Sequence, residues 1–288
     1  MFKQRLITAL ILAPLALAAV FYLPLYLFAA VLSAAFLLGA WEWSGFCGLA
    51  NKRSRALYVV LTAALMALFY AVTPLEPNQL VLHNLPLFSI LMLGAAWWVL
   101  AIVLVLTFPA SQRLWASSDW RRALMGWCTL LPAWAALLYI RGLGYEQSSF
   151  YGAWLIFALL GLVWAADIGG YLVGKPFGKT KLLPKVSPGK TLEGMLGGLG
   201  FVLLVLTALL VWRDWPGVSW HWYLAAVALT VLSVFGDLSE SMFKRVAGKK
   251  DSGAFLPGHG GILDRIDSLT ATAPLYALLL AFLGKQFL

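Results

Sequence analysis

The sequence predicts an all-α, polytopic membrane protein with about nine transmembrane helices. Three observations carry that prediction: an apolar composition, a succession of long apolar runs, and a one-sided distribution of lysine and arginine. Of 288 residues, 62% are hydrophobic and 11% charged, with a mean hydropathy of +0.85. A soluble domain carries about 25% charged residues. Under half that share cannot cover a water-facing surface, so lipid is the solvent for most of the fold.

A helix needs about 20 predominantly apolar residues to cross the hydrocarbon core. The first run, 6–22, follows Lys3 and Arg5 and has the outline of a secretory signal. The many apolar runs after it, with no soluble domain to export, make it a first membrane helix instead. A short Leu23-Pro24-Leu25 turn leads into the second run, 26–41. Further runs occupy 56–72, 87–108, 123–140, 151–173, 195–212, 222–235 and 269–283. There is no internal repeat and no low-complexity linker. Residues 1–145 hold about five spans, and 146–288 hold the rest together with two charged loops, 174–194 and 237–268.

Positive residues mark the cytosolic side of a bilayer. With the N-terminus inside, 18 of the 21 lysines and arginines fall on the cytosolic side, and only Arg141, Arg213 and Lys285 fall opposite. That bias supports an odd number of spans and a periplasmic C-terminus. Most acidic residues also lie on the cytosolic side, among them Glu42, Asp167, Asp237, Glu240, Asp264 and Asp267. Acidic residues contribute little to topology, so their enrichment points to function. The net charge of +9 is spread along the ends of apolar runs, which argues against nucleic acid and for anionic headgroups and phosphate-bearing ligands. Cys47 and Cys128, without CxxC or Cys/His spacing, read as packing residues.

The loop 174–194 carries five lysines, enough to neutralise several phosphates. Within it, Ser187-Pro188-Gly189-Lys190-Thr191-Leu192-Glu193-Gly194 reads as a helix start, with Ser187 as N-cap and Pro188 at the first helical position. Backbone N–H groups there, with Lys190 and Thr191, suit a phosphate. The alternative is an anchor that only sets topology. The second loop grows out of a membrane helix. Asp237, Glu240, Ser241 and Lys244 share one helical face, as do Asp264, Asp267 and Ser268 on the next helix. A carboxylate at the end of an apolar helix is costly unless it is used. Two such helices can bring Asp237 and Asp264 together around hard cations, with Mg²⁺ (one ion or two) the natural choice beside phosphates. Asp167, Glu240 and Asp267 are further candidate ligands. Between these helices Gly258-His259-Gly260-Gly261 forms a donor-rich turn. Asp167, inside an apolar span, is either a third acidic wall of the site or a helix-packing partner. Glu42, in Trp41-Glu42-Trp43, reads as an interfacial anchor in an aromatic belt.

The stretch Ser241-x-x-Lys244-Arg245-x₄-Lys250-Asp251-x-Gly253-x₂-Leu256-Pro257-x-His259-Gly260-Gly261-Ile262-x-Asp264-Arg265-Ile266-Asp267 resembles the signature of the phosphatidate cytidylyltransferases, without departure from it. The 187–194 string, the Asp167 region and Trp-Glu-Trp are similar to the same family. The resemblance implies transfer of the cytidylyl group of CTP to phosphatidic acid, with Mg²⁺ required, by an often dimeric enzyme of the bacterial inner membrane whose site faces the cytosol. It implies Asp237 and Asp264 as metal ligands. Lys190 is expected to share the catalytic work. Ser187, Thr191, Lys244, Arg245, Lys250, His259, Gly260, Gly261 and Arg265 are expected to hold the substrates. Two other classes are weighed: a transporter or lipid flippase, which the clustering of charge at one membrane face disfavours, and a CDP-alcohol phosphatidyltransferase, whose DGxxAR motif is missing.

Overall fold

The structure, a computed structural model, describes residues 2–49, 51–73, 84–212, 220–255 and 260–283. Its long helices are α1 (Phe2–Tyr22), α2 (Leu25–Ser44), α3 (Lys52–Val72), α4 (Leu85–Leu106), α6 (Asp119–Gly142), α7 (Tyr151–Phe177), α8 (Leu192–Trp212), α9 (Trp220–Val246) and α10 (Leu263–Leu283). The short α5 (Gln112–Trp115) links α4 to α6, and a hairpin of β1 (Lys181–Leu183) and β2 (Ser187–Thr191) links α7 to α8. Every apolar run read in the sequence falls on a long helix, the run 87–108 overshooting the end of α4 by two residues. Seven of these helices, α2, α3, α4, α6, α7, α8 and α9, are long and apolar enough to cross a membrane. Outside that set, α1 has a shorter apolar stretch, Leu10–Tyr22, and α10 opens on Asp264, Arg265 and Asp267.

The core lies around α6, α4 and α10. Leu130, Leu137 and Ile140 of α6 pack with Leu87 and Leu91 of α4 and with Ala271, Ala273 and Ala277 of α10, all fully buried. α8 instead leans on α7 by backbone proximity. A methyl group at Gly198 would stand 2.6 Å from the Ala166 carbonyl, a spacing that only glycine permits.

Polar contacts define the two ends of the bundle. At one end the α1–α2 turn, α6 and the segment before α7 are tied by buried Arg141, which donates to the carbonyls of Val20 (2.8 Å), Leu23 (3.2 Å) and Ser149 (2.9 Å). At the other end Arg122 donates to Phe46 O (2.9 Å) and Arg55 Nε to Ser44 Oγ (2.9 Å). There, too, Phe243 of α9 packs its ring 4.7 Å from Trp43 and 4.8 Å from Trp115. The hairpin and the start of α10 share this end, where most of the described basic side chains gather.

The hairpin corrects the local reading of the 187–194 string. Ser187 and Pro188 do not start a helix; they lie in β2, paired Leu183↔Ser187 and Lys181↔Thr191 with β1. Proline has no N–H to donate, and a two-stranded hairpin has free edges that tolerate it. The helix begins one turn later. Thr191 Oγ accepts from Gly194 N (3.1 Å) as the cap. Glu193 in the first turn accepts from Lys179 N (3.1 Å) and Thr180 N (3.0 Å), folding the loop back over the helix start.

Candidate functional site

Between α7, β2, the start of α8 and α9 lies a cavity of about 410 Å³. Its composition is split. Lys175, Lys190, Thr191, Asp167 and Asp237 supply charge and hydroxyl groups, whereas Ala166, Met195, Gly198 and Val234 supply apolar surface. The hairpin carries Lys190 to the C-terminal half of α9, where its Nζ lies 2.6 Å from Asp237 Oδ2 and 3.5 Å from Val234 O. Asp237 stays 37% exposed at its side chain, so its carboxylate remains open to the cavity while paired. Ser241, one turn on, donates to its other oxygen at 3.3 Å. Lys175 Nζ donates to Tyr171 Oη at 2.7 Å on the same wall.

A second cluster lies one turn further along α9. Lys244 Nζ bridges Glu240 Oε2 (3.2 Å) and Asp264 Oδ1 (2.7 Å). Asp264 also accepts from Ser252 N (3.0 Å), Ser252 Oγ (2.9 Å) and Gly261 N (2.7 Å). The turn wraps the carboxylate closely enough to need glycine. Gly260 has φ +78° and a Cβ there would stand 2.5 Å from Asp264 Oδ2. In this structure the Gly261 N–H is therefore already directed at a carboxylate.

Glu42 is the residue that sequence reasoning missed. It is not an interfacial anchor: it is buried, and its carboxylate reaches across to the start of α10. It accepts from Ser252 Oγ (3.1 Å), Ile262 N (3.1 Å) and Leu263 N (2.9 Å). The last two are N–H groups that a helix start leaves without partners, and a carboxylate there also meets the positive end of the helix dipole. The aromatic neighbours Trp41 and Trp43 gave the segment the look of a membrane-interface belt, whereas Trp43 is buried and donates to Arg122 O at 2.9 Å.

The structure thus distributes the candidate residues over two adjoining settings. Asp237, Lys190, Thr191 and Asp167 border the cavity. Asp264, Glu240 and Lys244 form the neighbouring cluster, and Asp267 stands among the charges of both, with Asp237, Lys190 and Lys244 as its charged neighbours. Ser187 sits on β2. Arg245 donates from Nε to Val186 O at 3.1 Å, tying α9 to the hairpin turn. Lys250 and Arg265 are exposed at the same end, and His259 lies outside the described residues. Among the described residues no three histidine, cysteine or carboxylate groups converge in a ligand set. The donors nonetheless suit a hard cation: Asp237 and Asp167 offer carboxylate oxygens to one cavity, and the buried Glu240 Oε1 has no hydrogen-bond partner among the described residues. Mg²⁺ usually takes only one or two protein carboxylates and completes its shell from water and phosphate.

Comparison with known proteins decides the family. Residues 3–283 match the profile of the cytidylyltransferase family. This chain belongs to the cytidylyltransferase family. The chain is similar to the phosphatidate cytidylyltransferase of Pseudomonas aeruginosa, at 44% identity over 97% of both chains. It is similar to that of Haemophilus influenzae at 38% identity over 96% of this chain and 98% of the relative. The similarity to a Staphylococcus haemolyticus phosphatidate cytidylyltransferase is 34% over 77% of this chain and 89% of that one. A cytidylyltransferase must hold polyphosphate beside its acceptor, and the lysines and carboxylates converging at the hairpin end of this bundle are of the type that requires.

Proposed function

We propose that this cytidylyltransferase transfers the cytidylyl group of CTP to phosphatidic acid, forming CDP-diacylglycerol and pyrophosphate. One observation carries the proposal to these residues: the cavity is apolar along α7, α8 and α9 yet ends on the Lys190–Asp237 pair, so a lipid phosphate and a nucleotide phosphate can meet in it. In the reaction a phosphatidate oxygen attacks the α-phosphorus of CTP, the bond to the β-phosphate oxygen breaks, and pyrophosphate leaves. The attacking oxygen is already anionic near neutral pH, so the protein's work is positioning and charge compensation rather than proton abstraction.

Lys190 is the cation on the cavity wall. An arriving phosphate competes with Asp237 for its ammonium, and the exchange keeps charge balanced. Asp237 and Asp167 are the residues that would hold Mg²⁺, one ion or two, with Asp264, Glu240 and Asp267 next to them. The bound cation would supply Lewis-acid neutralisation of phosphate charge. Asp264, held by Lys244, Ser252 and Gly261, fixes the start of α10 against α9 and so orders this wall of the site. Arg245, Lys250 and Arg265, with His259 and Gly260, supply further positive charge and donors for the pyrophosphate side, while Gly261 keeps its N–H on Asp264.

The same reading sets nine spans, the N-terminus and the site in the cytosol of a bacterial inner membrane, and the C-terminus outside. The concentration of basic residues at the hairpin end supports this orientation. The substrates then come from two phases, the lipid laterally from the bilayer and CTP from the cytosol. A homodimer is the assembly suggested by the family resemblance. The test uses purified protein in detergent with phosphatidic acid, Mg²⁺ and radiolabelled CTP. Label entering the organic phase in step with pyrophosphate release, stopped by a chelator, is the expected result. Folded protein that forms neither product would overturn it.

A further inference from the structure

A second cavity opens at the hairpin end, away from the Lys190–Asp237 pair. It has a volume of about 860 Å³ and is walled by the α4–α6 connection, the β1–β2 turn and the last residue of α9. Three of its lining side chains are cationic, Arg113, Arg122 and Lys185, and none is acidic. Gln112 and Ser117 add uncharged polar groups. Arg122 is held by Phe46 O at 2.9 Å and Asp119 at 2.5 Å, but its buried Nε–H has no partner among the described residues. The cavity therefore concentrates positive charge, which an anion with several acceptor oxygens would compensate.

Its position identifies the source of the anion. The 107–118 segment joins the ends of two membrane-crossing helices, so it lies at headgroup depth. Leu114 and Trp120 beside the cavity are each 65% exposed, and Arg121 lies 5.5 Å over the Trp120 ring. An exposed tryptophan and leucine next to arginines form the pattern of a membrane interface.

We propose that this cavity is an accessory site for the phosphate headgroup of an anionic phospholipid, separate from the substrate cavity. Bound there, the headgroup bridges Arg113 and Arg122 to Lys185 and draws the hairpin turn toward α6. That turn is the one whose Val186 carbonyl takes the Arg245 guanidinium at 3.1 Å, and the hairpin's second strand bears Lys190. Lipid occupancy therefore steadies the strand that presents Lys190.

The test reads lipid retention on the full chain without CTP or phosphatidate, so it stands whether or not the proposed reaction does. Wild-type protein in detergent is titrated with phosphatidylglycerol or phosphatidylcholine and examined by native mass spectrometry. Wild type is expected to retain phosphatidylglycerol preferentially. The variant combining Arg113→Gln and Lys185→Gln, both at exposed positions, is expected to bind it about 25-fold more weakly, and Arg113→Gln alone about fivefold, from about 1 kcal/mol per basic side chain near a membrane surface. Arg122 is left intact because it also holds Phe46. Lys181→Gln, which removes a charge from β1 outside the cavity, is expected to leave retention unchanged. Equal retention by wild type and the double variant, equal loss in Lys181→Gln, or displacement of the lipid by millimolar inorganic phosphate would each overturn the proposal.

Discussion

Replacing Glu42 by alanine tests how the two halves of the chain are joined. The carboxylate, 3% exposed, is the acceptor for Ser252 Oγ, Ile262 N and Leu263 N. Ser252 can turn its hydroxyl wholly to Asp264, 2.9 Å away, so its loss is small. The two backbone N–H groups have no such alternative. Each buried donor left unsatisfied costs about 1–3 kcal/mol, and the lost interaction of a negative charge with the start of α10 adds about 0.5 kcal/mol. The expected destabilisation is about 4 kcal/mol, which for a chain of this size corresponds to a fall in Tm of about 10 °C. Glu42→Gln keeps an acceptor for only one of the two N–H groups, which bond to different carboxylate oxygens, and is expected to lose about half of that. The assay is the fraction of detergent-solubilised protein that stays monodisperse on size exclusion after heating. A Glu42→Ala protein within about 2 °C of wild type, or a Gln variant as damaged as the Ala variant, would refute the capping argument.

Three further outcomes follow from the same geometry. Asp264→Asn puts an amide N–H where Gly261 N, Ser252 or Lys244 donates; the protein should stay folded and lose at least about 100-fold in turnover, as expected when a residue that orders a phosphoryl-transfer site is disturbed. A variant with near-normal turnover would contradict this. Thr191→Val removes the α8 cap and is expected to cost about 1 kcal/mol, or about 3 °C in Tm, whereas Ser187→Ala, on the strand, should change Tm by less than 1 °C by the same scale; the reverse order would restore the helix-start reading. Burial pushes the Cys47 thiol up to about 12. Because the reactive thiolate appears only as pH approaches the raised value, Cys47 in folded protein should resist maleimide through pH 8 and react only on denaturation. Prompt labelling of the folded protein would show that the turn after α2 is open.

What could be read from the residues follows from the range of the interactions that decide each feature. Hydrophobic run length placed every long helix, because in lipid a spanning segment must satisfy its own backbone and needs no distant partner. Helical periodicity likewise put Lys244 over Glu240, a pair one turn apart at 3.2 Å. It did not show that Lys244 also takes Asp264, 20 residues away. Ser187-Pro188 carried a strong local signal for a helix start, and the pairing of β2 with β1 overrode it. Glu42 was illegible for the same reason. Its partners lie 210–221 residues away, and its flanking tryptophans imitate an interfacial belt. Asp237 and Lys190 stood out as candidates because a carboxylate in an apolar helix is costly without a use and the loop before α8 is rich in lysine, though only the fold put them 2.6 Å apart.

The most direct test of the central claim, that cytidylyl transfer takes place at the Lys190–Asp237 cavity, is the initial rate of label transfer from CTP to phosphatidic acid by Lys190→Met, set against wild type and Lys190→Arg. All three proteins would first be matched for thermal stability. A fall of at least about 100-fold for Lys190→Met, with part of the rate restored by Lys190→Arg, is the result expected if this ammonium compensates phosphate charge at the reacting centre. A Lys190→Met enzyme that keeps its rate within about threefold of wild type would place the chemistry elsewhere.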